Sequence, residues 1–197
     1  MDSMHQIARA AIDQTPPACR VTDGHAAVIA RNADALVAMG PEVATAFYDT
    51  LFDHQPTATV FHEGERPMRE HTFLQWWDRT VRGPIDDEYW AWMAMVGLTH
   101  VVRRVTNPMM LSMADFVASY VGANSYRLHL PESERASLVE GFGRVASMMR
   151  SIITYGYDHA MSSALYERAG MPEALLARLG DQSIREALSD AKTELGL

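Results

Sequence analysis

Apolar residues recur along most of this chain at intervals of three and four, the spacing of helices that bury one face. No stretch shows the strict alternation of a half-buried strand. Thr22-Asp23 caps a helix through Val28, Ile29, Ala33, Leu36 and Val37 that Gly40 ends, and Pro41 opens the next, through Val43, Phe47, Leu51 and Phe52. His54 to Glu65, with Pro56 and Gly64, reads as a turn-rich connector. Pro67 then opens a helix whose stripe is Phe73, Trp76, Trp77, Thr80 and Val81, closed by Gly83-Pro84. Asp86 or Asp87 caps a further helix. Asn107-Pro108 marks its end and starts another, through Leu111, Ala114, Val117, Tyr120 and Val121. Residues 131–169 form the longest periodic segment: Leu138, Phe142, Val145, Met149 and Ile152 alternate by four and three, the seam of a helix lying along a near-parallel partner, within the domain or across a dimer. Gly141, Gly143 and Gly156 interrupt it with small residues that permit close helix approach. Met171 to Leu197 reads as two short helices split by Gly180-Asp181. The expected fold class is all-α.

Composition narrows the setting. The 197 residues are the length of one domain, or of one domain with a terminal extension, and suffice to bury a sizeable core. Although 48% of them are apolar, they never gather into the ~20-residue run that spans a bilayer, so no membrane partner is expected. Met1 to Thr15 lacks the apolar block of a signal peptide, which implies a cytoplasmic protein. Cys19 is the only cysteine and excludes an internal disulfide, a cysteine-based zinc site and covalent haem attachment through paired cysteines. A net charge of −8 argues against nucleic acid, whose phosphates need clustered Lys and Arg.

One residue stands out chemically. His100 closes the apolar face of the segment from Tyr89, with Met93, Val96 and Gly97 on the same side, and Gly97 one turn earlier would let a flat object approach the backbone. An imidazole facing apolar space needs a partner: a buried carbonyl or carboxylate, or a metal bound by its neutral ring nitrogen. His25, His54, His62, His129 and His159 show no i, i+4 pairing with each other or with carboxylates. Neither a Gly-x-Ser-x-Gly elbow nor a phosphate-binding Gly-Lys loop is present.

Tyr89 followed by Val96-Gly97-Leu98-Thr99-His100 resembles the proximal-helix pattern of protoglobins and of the globin domains of globin-coupled sensors. Phe47-Tyr48-Asp49-Thr50-Leu51 resembles their second-helix signature, and Thr72-Phe73-Leu74-Gln75-Trp76 and Gly83 to Tyr89 follow in matching order. The likeness runs from about Val21 to Tyr157. After His100 only Pro108 of the sensors' usual continuation is kept, which tilts the resemblance toward stand-alone protoglobin-like proteins.

The resemblance implies a globin-like helical sandwich over residues 21–169, with an N-terminal extension at 1–20 and a helical extension at 170–197. It implies non-covalently held haem b with His100 as the iron ligand and Tyr48 as the distal hydrogen-bond donor, a bond that contributes roughly 1.5–3 kcal/mol to a charge-bearing acceptor. Thr72 is a second polar candidate, Phe73 the aromatic screening the ligand, and Trp76 a porphyrin contact. Met93, Val96 and Gly97 complete the proximal lining. Arg103 or Arg104, with Arg104 preferred, would meet a propionate, and His71 is a candidate sixth ligand. The implied function is reversible binding of O2, CO or NO in a sensor or scavenger, with no catalytic residue, as a homodimer through residues 131–169. The alternatives are a haem-free globin-like signalling module and a haem enzyme with peroxidase- or nitrite-type activity.

Overall fold

The computed structural model describes residues 2–196; Met1 and Leu197, the outer ends of the expected terminal segments, lie outside them. Among the described residues are nine α-helices and no strand, which bears out the all-α, globin-like class. They divide into two compact units, residues 2–156 and 157–196.

In the larger unit, α1 (Met4–Gln14) opens on a capping box in which Ser3 and Gln6 satisfy each other's backbone N–H groups. Its Ile7, Ala8 and Ala11 are buried, and it packs against α6 (Asp87–Val102). Thr22 caps α2 (Asp23–Arg31) by accepting from the His25 N–H. The break before α3 (Ala33–Asp53) falls at Asn32, whose side-chain amide donates to the Val28 carbonyl at 2.9 Å. The expected break at Gly40-Pro41 does not occur, for two reasons. Pro41 lies on the exposed face of α3, where its ring is clear of the core and the helix forgoes only the one hydrogen bond that a proline cannot donate. Gly40 is there for packing. A Cβ at that position would stand 2.9 Å from Trp77 Cδ1 and 3.3 Å from Leu74 Cδ2, so only glycine lets α3 lie this close to α5 (Arg66–Arg82). Trp77 Nε1 crosses the same contact to donate to the Leu36 carbonyl at 2.7 Å, which satisfies a fully buried indole.

The connector holds a one-turn helix, α4 (Gln55–Ala58), before Pro67 opens α5 as expected. Asp86 caps α6 by accepting from the Tyr89 N–H at 2.9 Å, and α7 (Asn107–Asn124) follows a short turn. Then comes α8 (Glu132–Ala169), of which residues 132–156 belong to this unit.

The seam of α8 overturns one expectation. Leu138, Phe142, Val145, Met149 and Ile152 are between 0% and 7% exposed within a single chain, so they are core and cannot also face a second copy. Phe142 stacks on Trp77 at 5.5 Å between ring centroids, and Met149 Sδ lies 3.6 Å from the Tyr89 hydroxyl. Two of the seam residues thus meet α5 and α6 of the same chain.

In the smaller unit, the last turns of α8 end at Gly170, whose φ of +62° suits glycine. Helix α9 (Glu173–Leu195) then runs unbroken through Gly180-Asp181, where two short helices were expected. A single glycine lowers helix propensity by about 1 kcal/mol, too little to end a helix of 23 residues.

Candidate functional site

His100 occupies the last turn of α6, which ends at Val102 with the Arg103 N–H on the Thr99 carbonyl and the Val105 N–H on the His100 carbonyl. The residue is half-buried, but its Nδ1 is fully buried and has no hydrogen-bond partner. Among the described residues Asn107 Oδ1 is the other buried side-chain atom of this kind. Burial, and then the positive charges of Arg103 and Arg69, hold the imidazole pKa down at about 4. The ring is therefore neutral at physiological pH, with a lone pair available to a metal.

An ionic cluster lies beside it. Arg103 Nη2 donates to Glu65 Oε2 at 2.7 Å and to the Val60 carbonyl at 3.1 Å. Glu65 also accepts from Arg69 Nε at 2.7 Å and from the His62 N–H at 2.9 Å. Those bonds, Arg103's first, hold its carboxyl at about 2. Arg69 connects this cluster to Tyr48, whose hydroxyl donates to the Arg69 backbone carbonyl at 2.9 Å. Burial pushes the phenol up to about 12.

Around Tyr48 the rings form a continuous aromatic wall. Phe47 lies 4.9 Å from Phe73 and 6.2 Å from Phe116, Tyr48 6.0 Å from Phe61, and Phe73 5.2 Å from Trp76, all between centroids. Several of these contacts are edge-on, the arrangement that aromatic quadrupoles prefer.

The sequence-predicted residues divide accordingly. Tyr48 and Phe73 come together where α3 meets α5, and Trp76 joins them half-buried. Met93 is buried and Val96 half-buried on the His100 helix. Thr72 is displaced by one position of register: it is exposed and its hydroxyl donates to the Met68 carbonyl at 3.0 Å, because Phe73 takes the inward direction. Gly97 offers no open backbone either. A Cβ there would stand 3.3 Å from Ile153 Cα, so the glycine serves the approach of α8 to α6. Arg104 is exposed in a left-handed conformation, φ 63°, and it is Arg103 that turns inward to Glu65. His71 is exposed on the flank of α5. Phe61, Phe116, Glu65 and Arg69 were missed. Glu65 and Arg69 carry the i, i+4 spacing of a helix-surface ion pair, which hid their approach to Arg103 from elsewhere in the chain.

The profile of the protoglobin family matches residues 10–163, which include α2 to α7 and every residue of this site. The chain belongs to the protoglobin family. A search of curated proteins finds no match. Membership implies a globin-type haem protein with a gas ligand. The residues present fit a haem: the Nδ1 of a neutral imidazole is buried without a protein partner, and Arg103 and Arg69 stand close enough to depress its pKa. Among the described residues no helix is long and apolar enough to cross a membrane.

Proposed function

We propose that this protoglobin holds haem b through His100 and uses it to bind O2, CO or NO reversibly, as a cytoplasmic gas sensor or scavenger without a catalytic step of its own. The observation that carries the reading is the buried, unpartnered Nδ1 of His100, since a buried imidazole left without a hydrogen bond is destabilising unless a ligand completes it. When bound, the haem iron supplies the position at which the gas is held. The protein's part is to present a neutral nitrogen on α6, to exclude water with the ring wall around Phe73, and to place a donor at Tyr48. Titration of the purified protein with haemin tests this directly: a stoichiometric Soret band is expected, and its absence at saturating haemin would refute the proposal.

Tyr48 makes the proposal sharper. Its hydroxyl proton is engaged on the Arg69 carbonyl, so donating to a bound gas means exchanging one acceptor for another, and the net gain is the difference between two hydrogen bonds. Tyr48→Phe should speed O2 dissociation by up to about tenfold, the equivalent of about 1.4 kcal/mol, and should alter CO dissociation much less because bound CO is weakly polar. Equal acceleration of both gases in stopped-flow measurements would assign Tyr48 a steric role.

Self-association belongs to the proposal, relocated to residues 157–169, where Met161 and Tyr166 are exposed. Met161→Lys with Tyr166→Lys should lower the mass measured by sedimentation, and a wild-type monomer at high concentration would remove this element. A haem-free interaction module is the second reading, favoured by two contacts already complete within the chain: Tyr48 on Arg69, and Gly97 against Ile153. Peroxidase- or nitrite-type chemistry would need a distal acid–base group, and His71 faces solvent.

A further inference from the structure

Glu65 is an unusual carboxylate for a helix start. Its side chain is 7% exposed, while the side chains of Arg69 and Arg103 that clasp it are 25% and 21% exposed, so part of each arginine stays within reach of solvent. Arg69 and Arg103 share the one Glu65 carboxylate, while Arg66, earlier on α5, holds both Glu70 and Asp49 at 2.7 Å. Arg103 stands one turn beyond His100 at the end of the same helix, and both arginines act electrostatically on its ring.

We infer that Arg69 and Arg103 form a carboxylate subsite at the mouth of the His100 site, that Glu65 fills it in the haem-free chain, and that a propionate of the incoming haem displaces Glu65 from Arg103. The inference rests on the haem reading above and assigns the haem's carboxylate end to a particular pair of residues. Arg103 keeps its bond to the Val60 carbonyl through the exchange, so the guanidinium is already oriented when Glu65 turns outward. An arginine held in this way presents its donors in the fork that suits a carboxylate, which a flexible surface lysine would not. Arg104, next in the chain, does not share the role because it is exposed in a left-handed turn.

Haemin and its dimethyl ester, identical at the iron but without free carboxylates, separate this inference from the haem reading. Binding is followed by the Soret band, and haem loss by transfer to an excess of an apo-globin acceptor. Wild-type protein should hold haemin at least about tenfold more tightly than the ester, the minimum for one charge-assisted hydrogen bond. Arg103→Gln should bring haemin to the ester's level and leave the ester unchanged. Glu65→Gln, which keeps the side chain's size and removes its charge, should slow haemin loss severalfold with no gain for the ester. Equal retention of haemin and ester by the wild type would overturn the subsite while leaving the haem reading intact, and that comparison needs no variant to fold. Faster haemin loss from Glu65→Gln would likewise overturn the exchange, since Glu65 would then support the bound state. If the wild type takes up neither compound, the haem reading falls and the subsite with it.

Discussion

His100→Ala is expected to abolish stable haem retention while leaving the haem-free protein as stable as the wild type, or more so. The two halves of that result come from one observation. As the iron's protein ligand, His100 should matter more than the outer hydrogen-bond partners of metal ligands, whose removal typically costs about 10–100-fold in affinity. In the haem-free chain the same imidazole is a liability: its Nδ1 is buried without a partner, a condition that costs roughly 1–3 kcal/mol, and alanine has a helix propensity better than histidine's by up to about 0.7 kcal/mol. A residue kept for the fold would behave in the opposite way. The measurement is a haemin titration of both proteins, with urea unfolding of their haem-free forms. An unchanged Soret band and ferrous spectrum in the variant would take His100 out of the site, and a marked loss of haem-free stability would mean that the imidazole serves packing.

This division between site and scaffold was partly legible in the sequence. Periodicity placed the apolar faces of α3, α5 and α8 correctly because each depends on local spacing, and Asp86, Thr22 and Pro67 marked helix starts because capping is local chemistry as well. What could not be read was which distant element each feature answers. Gly40 looked like a terminator because the indole of Trp77 that requires it lies thirty-seven residues further on (77 − 40). Gly97 is small enough to clear room for a flat ligand, but Ile153 of α8 fills that side. The choices between Thr72 and Phe73, and between Arg103 and Arg104, turned on one position of register and one left-handed residue, neither of which side-chain type reveals. Helix α1 had a local signal in its Ser3–Gln6 capping box and its Ile7, Ala8 and Ala11 face, but a face of one isoleucine and two alanines is weak until α6 is there to cover it.

The α8 seam shows most plainly how a correct pattern can be assigned to the wrong partner, and it supports the second large prediction. Phe142→Lys should unfold the protein, or bring it close to unfolding. Phe142 is 3% exposed and stacks on Trp77, which in turn bonds the Leu36 carbonyl, so the substitution opens a cavity at the contact that joins α3, α5 and α8. Truncation of a buried phenylalanine alone costs about 3–5 kcal/mol, and placing an ammonium among these rings adds its desolvation. Against a typical total stability of about 5–15 kcal/mol, that loss takes most of the margin. Met149→Lys, at 7% exposure and in contact with the Tyr89 hydroxyl, should act in the same direction. Far-ultraviolet circular dichroism during urea unfolding, recorded with sedimentation on the same samples, distinguishes the two assignments of the seam. Loss of helicity or a much lower urea midpoint places it in the core of one chain. A variant that keeps its midpoint and falls to half the wild-type mass would return the seam to a dimer interface and contradict the burial of all five of its residues.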